Sequence, residues 1–186
     1  MDEIPTRLKA TNQSRVHDAQ LRFQRFLFLK LLALWLFFAP LAALGEQFSG
    51  RVVSVLDGDT IEVLSNNRTE RIRLHGIDCP EKGQAYGMKA KQAASRLVFG
   101  KEVTLETHGR DKYGWTIADV SLPDGIIINI ELVRNGWCWW YQQYAPDNVM
   151  LAELQRRARR SRLGLWADPD PVPPWLYRRL NSGAYP

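Results

Sequence analysis

Apolar residues are spaced along this chain in three ways, and each spacing predicts a different kind of element. Phe26 to Leu44 is almost unbroken apolar sequence, interrupted by Lys30 and followed by Gly45-Glu46. From Phe48 onward, short stretches alternate with the period of two that puts successive side chains on opposite faces of a strand. They are Phe48 to Leu56, Thr60 to Leu64, Glu70 to Ile77, Lys101 to Thr107 and Trp115 to Leu122. Three further stretches have helical spacing. Ala85 to Phe99 gathers Tyr86, Ala90, Ala93, Ala94, Leu97 and Val98 into one stripe closed by Gly100, a short helix over Asn129 to Arg134 ends before Gly136, and a longer one over Asp147 to Leu163 stops at Gly164. Ser65-Asn66-Asn67, Gly109 to Gly114 and Pro123-Asp124-Gly125 supply the turns. Five short strands with a helix before the last two fit a small closed barrel, an α+β fold that is mainly β. About three helices would flank it. Asp168 to Trp175 is proline-rich and is expected to run extended along the surface.

The leading apolar run predicts an export signal cleaved before Glu46: basic residues precede it, and Ala43-Leu44-Gly45 offers small residues where a signal peptidase reads. An uncleaved membrane anchor is the alternative, because about 20 apolar residues span a bilayer and the leader is long. Either places the following domain outside the cytoplasm, periplasmic or extracellular. The chain thus divides into 1–45, a folded domain over 46–166, and an extension over 167–186. With 186 residues and 45% hydrophobic content it can bury a core. Of its net charge of +5, the first 45 residues account for +3, so the domain's basic balance argues only mildly for a polyanionic substrate. Two cysteines, Cys79 and Cys138, are too far apart for a CxxC metal site. An exported protein could pair them, but sequence alone does not bring them together. Cys79 is otherwise expected to matter through its backbone and Cys138 as a small buried side chain.

The chemistry concentrates between Asp57 and Glu81. If the two alternating stretches on either side of Ser65-Asn66-Asn67 form a hairpin, Asp59 before the first strand and Asp78 after the second come together. Asp57 and Glu81 lie close by in sequence, and Arg73 falls between the clusters. Converging carboxylates need a positive charge between them, and a hard divalent cation that takes carboxylate, carbonyl and water oxygens is the natural one. An ordinary turn with solvated acids would explain Asp57-Gly58-Asp59 equally well. The aromatic cluster Trp137, Trp139, Trp140, Tyr141 and Tyr144 reads mainly as packing. Arg156 to Arg162 reads as a solvated helix face that could also attract a phosphate backbone.

Several motifs in order carry a family resemblance. Asp57-Gly58-Asp59-Thr60, Arg73 to Glu81, Asp111-Lys112-Tyr113-Gly114, Asp124-Gly125, Glu131 to Gly136 and Gly164-Leu165-Trp166 together resemble the staphylococcal nuclease-like (thermonuclease) family over about Phe48 to Trp166. The resemblance implies an OB-fold barrel and calcium-dependent hydrolysis of DNA or RNA by a chain that acts as a monomer. It implies that Asp59, Asp78 and the Cys79 backbone carbonyl hold Ca2+ with Asp57 behind them. Glu81 would position or deprotonate water, Arg73 would grip the phosphate, Lys112 and Tyr113 would line a terminal-phosphate pocket, and Tyr144 would lie near a base or phosphate.

One position departs from the family pattern. Where the family carries its second catalytic arginine this chain has Trp115, whose indole offers one N–H and no charge. Loss of such a donor costs about 3 kcal/mol or more in the transition state. The expectation is a slow nuclease, one rescued by Arg110 or Arg71, or a degenerate barrel that binds nucleic acid without cleaving it. A third reading is an envelope protein held by 26–44 whose barrel recognises a protein partner.

Overall fold

The computed structural model describes residues 46–182. The apolar run at 26–44, and the export signal or anchor expected there, lie outside the described residues. Among those described, no helix is long and apolar enough to cross a membrane.

Alternation decides the barrel. The strands are β1 (Gln47–Val55), β2 (Thr60–Ser65), β3 (Arg68–Leu74), β4 (Ile77–Asp78), β5 (Glu102–Arg110), β6 (Thr116–Ser121) and β7 (Trp139–Trp140). Five of them close in the order β1-β2-β3-β6-β5, while β4 and β7 pair with each other outside the barrel. Every second residue points inward, which buries Val52, Ile61, Val63, Ile72, Leu74, Val103, Leu105, Ala118 and Val120. Each of the larger of these contributes roughly 1.5–3 kcal/mol by leaving water. Closure joins β3 to β6 in parallel, with Arg73 opposite Ile117; the other four pairings are antiparallel.

The β2–β3 hairpin turns on Asn66 and Asn67, both at positive φ (49° and 60°). Two-residue hairpin loops of this kind need that conformation, and asparagine tolerates it better than most residues. The turn fixes the register with Thr60 facing Arg73, so the Asp59 carbonyl accepts from the Leu74 N–H at 2.8 Å. The ends of the hairpin are thereby brought together.

Among the described residues, four α-helices flank the barrel: α1 (Gly87–Val98), α2 (Ile128–Arg134), α3 (Val149–Arg160) and α4 (Pro174–Asn181), with a 3-10 turn at Gly164–Ala167. Helix α1 buries Ala90, Ala93, Ala94 and Val98, the stripe anticipated by its spacing. From α2 the buried Asn129 accepts from the Val120 N–H and donates to the carbonyls of His75 and Ala118, cross-linking β6 and the end of β3. Helix α3 is capped by the Asn148 side chain, which accepts from the Leu151 N–H at 3.0 Å.

The strand expected over Glu70 to Ile77 breaks at the turn His75-Gly76 to give β3 and the short β4, and β4, β7 and helix α4 are elements the sequence pattern did not predict. The segment expected to run extended bends over 168–170, where the Asp170 N–H donates to Asp168, has no regular structure from 171 to 173, and then turns helical with Pro174 at its first position, where a missing N–H does no harm. Trp175 stacks on Tyr141 (centroids 5.2 Å apart, nearly parallel) and meets the edge of Trp139 at 5.6 Å. Most of the aromatic cluster serves packing of this kind: Trp137 and Trp140 lie against the barrel core, and Trp139 packs on Trp166.

Candidate active site

The acidic loop is tied down from three directions. Asp59 accepts from the Thr60 hydroxyl at 3.0 Å through one carboxylate oxygen and from the Cys79 N–H at 2.8 Å through the other. Its own N–H donates to Asp57 at 3.1 Å. Cys79 is disulfide-bonded to Cys138, which pins the loop between Asp78 and Glu81 to the segment leading into β7. Gly58 has no side chain because none fits: a Cβ there would stand 2.9 Å from the Cys79 sulfur and 3.0 Å from the Ala90 Cβ.

These acids are held together at an electrostatic cost. Burial, reinforced by the charge of Asp59, pushes the Asp57 carboxyl up to about 7. Burial also pushes Asp78 up to about 6, even though Arg178 and Arg73 favour its ionised form. Arg73 is half-buried, 3.7 Å from Asp78. Burial opposes its charge, but the carboxylates of Asp59 and Asp78 outweigh that and its pKa is raised. Three acids in one buried corner, two of them reluctant to ionise, suit a hard cation with oxygen ligands.

Arg178 on α4 enters this corner, and sequence reasoning missed it. Its Nη1 and Nη2 donate to the two oxygens of Asp78 at 3.0 and 2.7 Å, and Nη1 also donates to Glu81 at 2.6 Å. The bonds to Asp78 and Glu81 raise the arginine's pKa although burial works against them. Asp78 and Arg178 thus respond unequally to one contact, because the carboxylate is buried whereas the guanidinium, at 38% exposure, keeps much of its water. The loop is further laced to the extension through Gln84, which accepts from the Glu81 N–H and donates to the Val172 carbonyl. Only the two prolines followed by Trp175-Leu176-Tyr177 hinted at a helix start here.

A cleft of about 530 Å³ opens over the corner, lined by Arg73, Glu81, Lys112, Tyr113, Tyr144 and Arg178 among others. Asp111 shapes the loop that delivers Lys112 and Tyr113, accepting from the N–H groups of Tyr113 and Trp115 at 2.8 and 2.9 Å. Gly114 takes the positive φ (80°) that this turn requires. Trp115 is not among the residues lining the cleft; the Arg71 guanidinium lies over its ring at 4.8 Å. Arg71 pairs with Glu62, and Arg110 pairs with Glu70 at the cleft margin. The Arg156 to Arg162 run partly neutralises itself, since Arg156 and Arg157 both pair with Glu153.

A second cluster escaped sequence reasoning. His75 and His108 stack at 3.9 Å and both approach one oxygen of Asp119, at 3.6 and 2.9 Å. The antiparallel β5–β6 pairing brings His108 to Asp119, and the parallel β3–β6 pairing, which local pattern does not announce, adds His75.

With this geometry in place, comparison with known proteins is decisive. Residues 71–168 match the model of the family described as "Staphylococcal nuclease homologue". An "Uncharacterized endonuclease" of Escherichia coli O157:H7 is 47% identical over 80% of this chain and 97% of its own length. The chain belongs to the staphylococcal nuclease homologue family. Other members similar to it include a "Micrococcal nuclease" of Shigella flexneri, 42% identical over 74% of this chain and 84% of that protein. A rice protein named "Probable staphylococcal-like nuclease CAN1" is 37% identical, over 59% of this chain and 32% of its own length. In this family member, Arg178 lies beyond the segment matched by the family model.

Proposed function

We propose that this chain is a calcium-dependent phosphodiesterase that cleaves DNA and RNA. The observation that carries the proposal is a cleft lined by Arg73 and Glu81, beside the buried Asp59 and Asp78, in a nuclease-family barrel. Asp59, Asp78 and the Cys79 carbonyl are the groups that would hold Ca2+, with Asp57 behind them. The ion would supply positive charge that polarises the phosphoryl group and acidifies water. Glu81, partly exposed at the cleft, positions a water and takes its proton as the water oxygen attacks phosphorus and the P–O bond to the leaving group breaks. Arg73 binds the phosphate through a planar fork suited to two oxygens. Lys112, Tyr113 and Tyr144 line the path of the substrate, the last two as exposed rings on which bases can stack.

Purified chain is expected to cleave single-stranded DNA and RNA with added calcium, to stop with a chelator, and to lose most of its rate as Glu81→Gln. Cleavage that ignores both calcium and Glu81→Gln would overturn this mechanism. Trp115 favours a second reading, a barrel that binds nucleic acid without turnover. Salt-sensitive binding with no product at any calcium concentration would establish it instead.

Export from the cytoplasm belongs to the same proposal. It is supported by the apolar run at 26–44 and by the Cys79–Cys138 disulfide, a bond that persists in oxidising compartments. Mass spectrometry of the mature protein should find Glu46 at its start; an intact leader would mean anchorage.

A further inference from the structure

We infer that Arg178, carried by α4, is a second phosphate-binding arginine of this nuclease and contacts the transferring phosphate together with Arg73. The inference rests on the phosphodiesterase reading and adds to it a residue outside the family-matched segment. Placement is the first argument. Arg178 lines the same cleft as Arg73, Glu81, Lys112 and Tyr113, although its helix comes 100 residues after Asp78 in sequence.

The second argument is preorganisation. Trp175 is wedged against Tyr141 and Trp139, and Arg178 follows it by three positions, on the same helical face. The packed tryptophan therefore aims the guanidinium at the acidic loop. Asp78 then locks its plane through two parallel bonds. A guanidinium has five N–H donors. The bonds to Asp78 and Glu81 use three of these, which leaves two donors on a side chain that is 38% exposed and lines the cleft.

Charge is the third argument. Hydrolysis builds negative charge on the phosphoryl oxygens beside Asp57, Asp59, Asp78 and Glu81, and of the cations that line the cleft (Arg73, Arg110, Lys112 and Arg178) Arg73 and Arg178 are the ones that reach Asp78. The other arginines nearby are turned to different partners: Arg71 to Glu62 and the face of Trp115, and Arg110, which also lines the cleft, to Glu70 and the Gly114 carbonyl rather than to the acidic corner. Position 115 itself offers an indole turned out of the cleft. Arg178 is the guanidinium in place to do the work.

The test compares the full chain with Arg178→Ala and Arg178→Lys, measuring kcat and KM on single-stranded DNA and the rise in melting temperature on adding calcium. Arg178→Ala should lose on the order of 10²-fold in kcat with KM little changed, because the contact strengthens as charge develops. It should keep the calcium-induced rise in melting temperature. Arg178→Lys should fold and pair with Asp78 but recover little of the rate, since an ammonium cannot make the bidentate contact. An Ala variant as fast as the natural chain, or faster, would overturn the inference and make Arg178 a plug on the acids. Loss of the calcium response in Ala, or full rate in Lys, would overturn it in favour of a brace for Asp78. A natural chain that cleaves nothing would sink the underlying phosphodiesterase reading as well, a result distinct from all of these.

Discussion

Asp78 is pulled in opposite directions, buried away from water yet paired with two arginines, and its carboxyl ends near 6. A group in that position should respond strongly to a cation. Asp78→Asn is therefore expected to abolish the rise in melting temperature that calcium gives the natural chain, because stabilisation by a ligand requires that the folded state bind it. Equal calcium stabilisation of both proteins would refute a shared site. Trp115 makes the complementary case. Its ring is covered by Arg71, so Trp115→Arg in the natural chain should gain little while Arg178 is present. In an Arg178→Ala background the same change should raise the rate, and a gain of equal size in both backgrounds would show that the two positions serve different purposes.

Among the elements, those defined by local pattern were legible in advance. The hairpin could be read because Asn66-Asn67 sits between two alternating stretches, and from it the meeting of Asp59 with Asp78 followed. Helix α1 could be read from its alanine stripe. What escaped depends on contacts distant in sequence. Cys79 and Cys138 are 59 residues apart and meet only because β4 lies along β7. Helix α4 has eight residues and starts in a proline-rich segment too short to show a period. The parallel β3–β6 contact that brings His75 to Asp119 has no local signature. Two measurements address this scale. Reducing the disulfide should lower stability by about 2–4 kcal/mol in a denaturant melt, and also slow cleavage, since the Cys79 N–H holds Asp59. Asn148→Ala should cost about 1 kcal/mol through the lost cap of α3 while leaving the rate unchanged.

For the whole molecule, acid stability is expected to depend on Asp119. Burial alone would raise its carboxyl, but the imidazoles of His75 and His108 more than reverse this and hold it below its ordinary value of 3.8. A depressed folded pKa contributes stability that is fully present above the unfolded value and is lost as pH falls through the folded one. Melting temperature measured in chelator should therefore fall below about pH 4 in the natural chain, and Asp119→Asn should flatten that limb. An identical acid limb in both proteins would place the effect elsewhere.

Asp78 and Arg178 stand 100 positions apart along the chain, and proteins are made from one end. A ribosome completes Asp57, Asp59, Asp78 and Glu81 first, then threads the whole outer half of the barrel and its helices before the arginine exists. On the assignment made above, a half-translated polypeptide possesses the acid that activates water but only one of its two guanidiniums. Such a chain also lacks β5 and β6, so neither the closed barrel nor the full cleft can exist until synthesis is nearly complete.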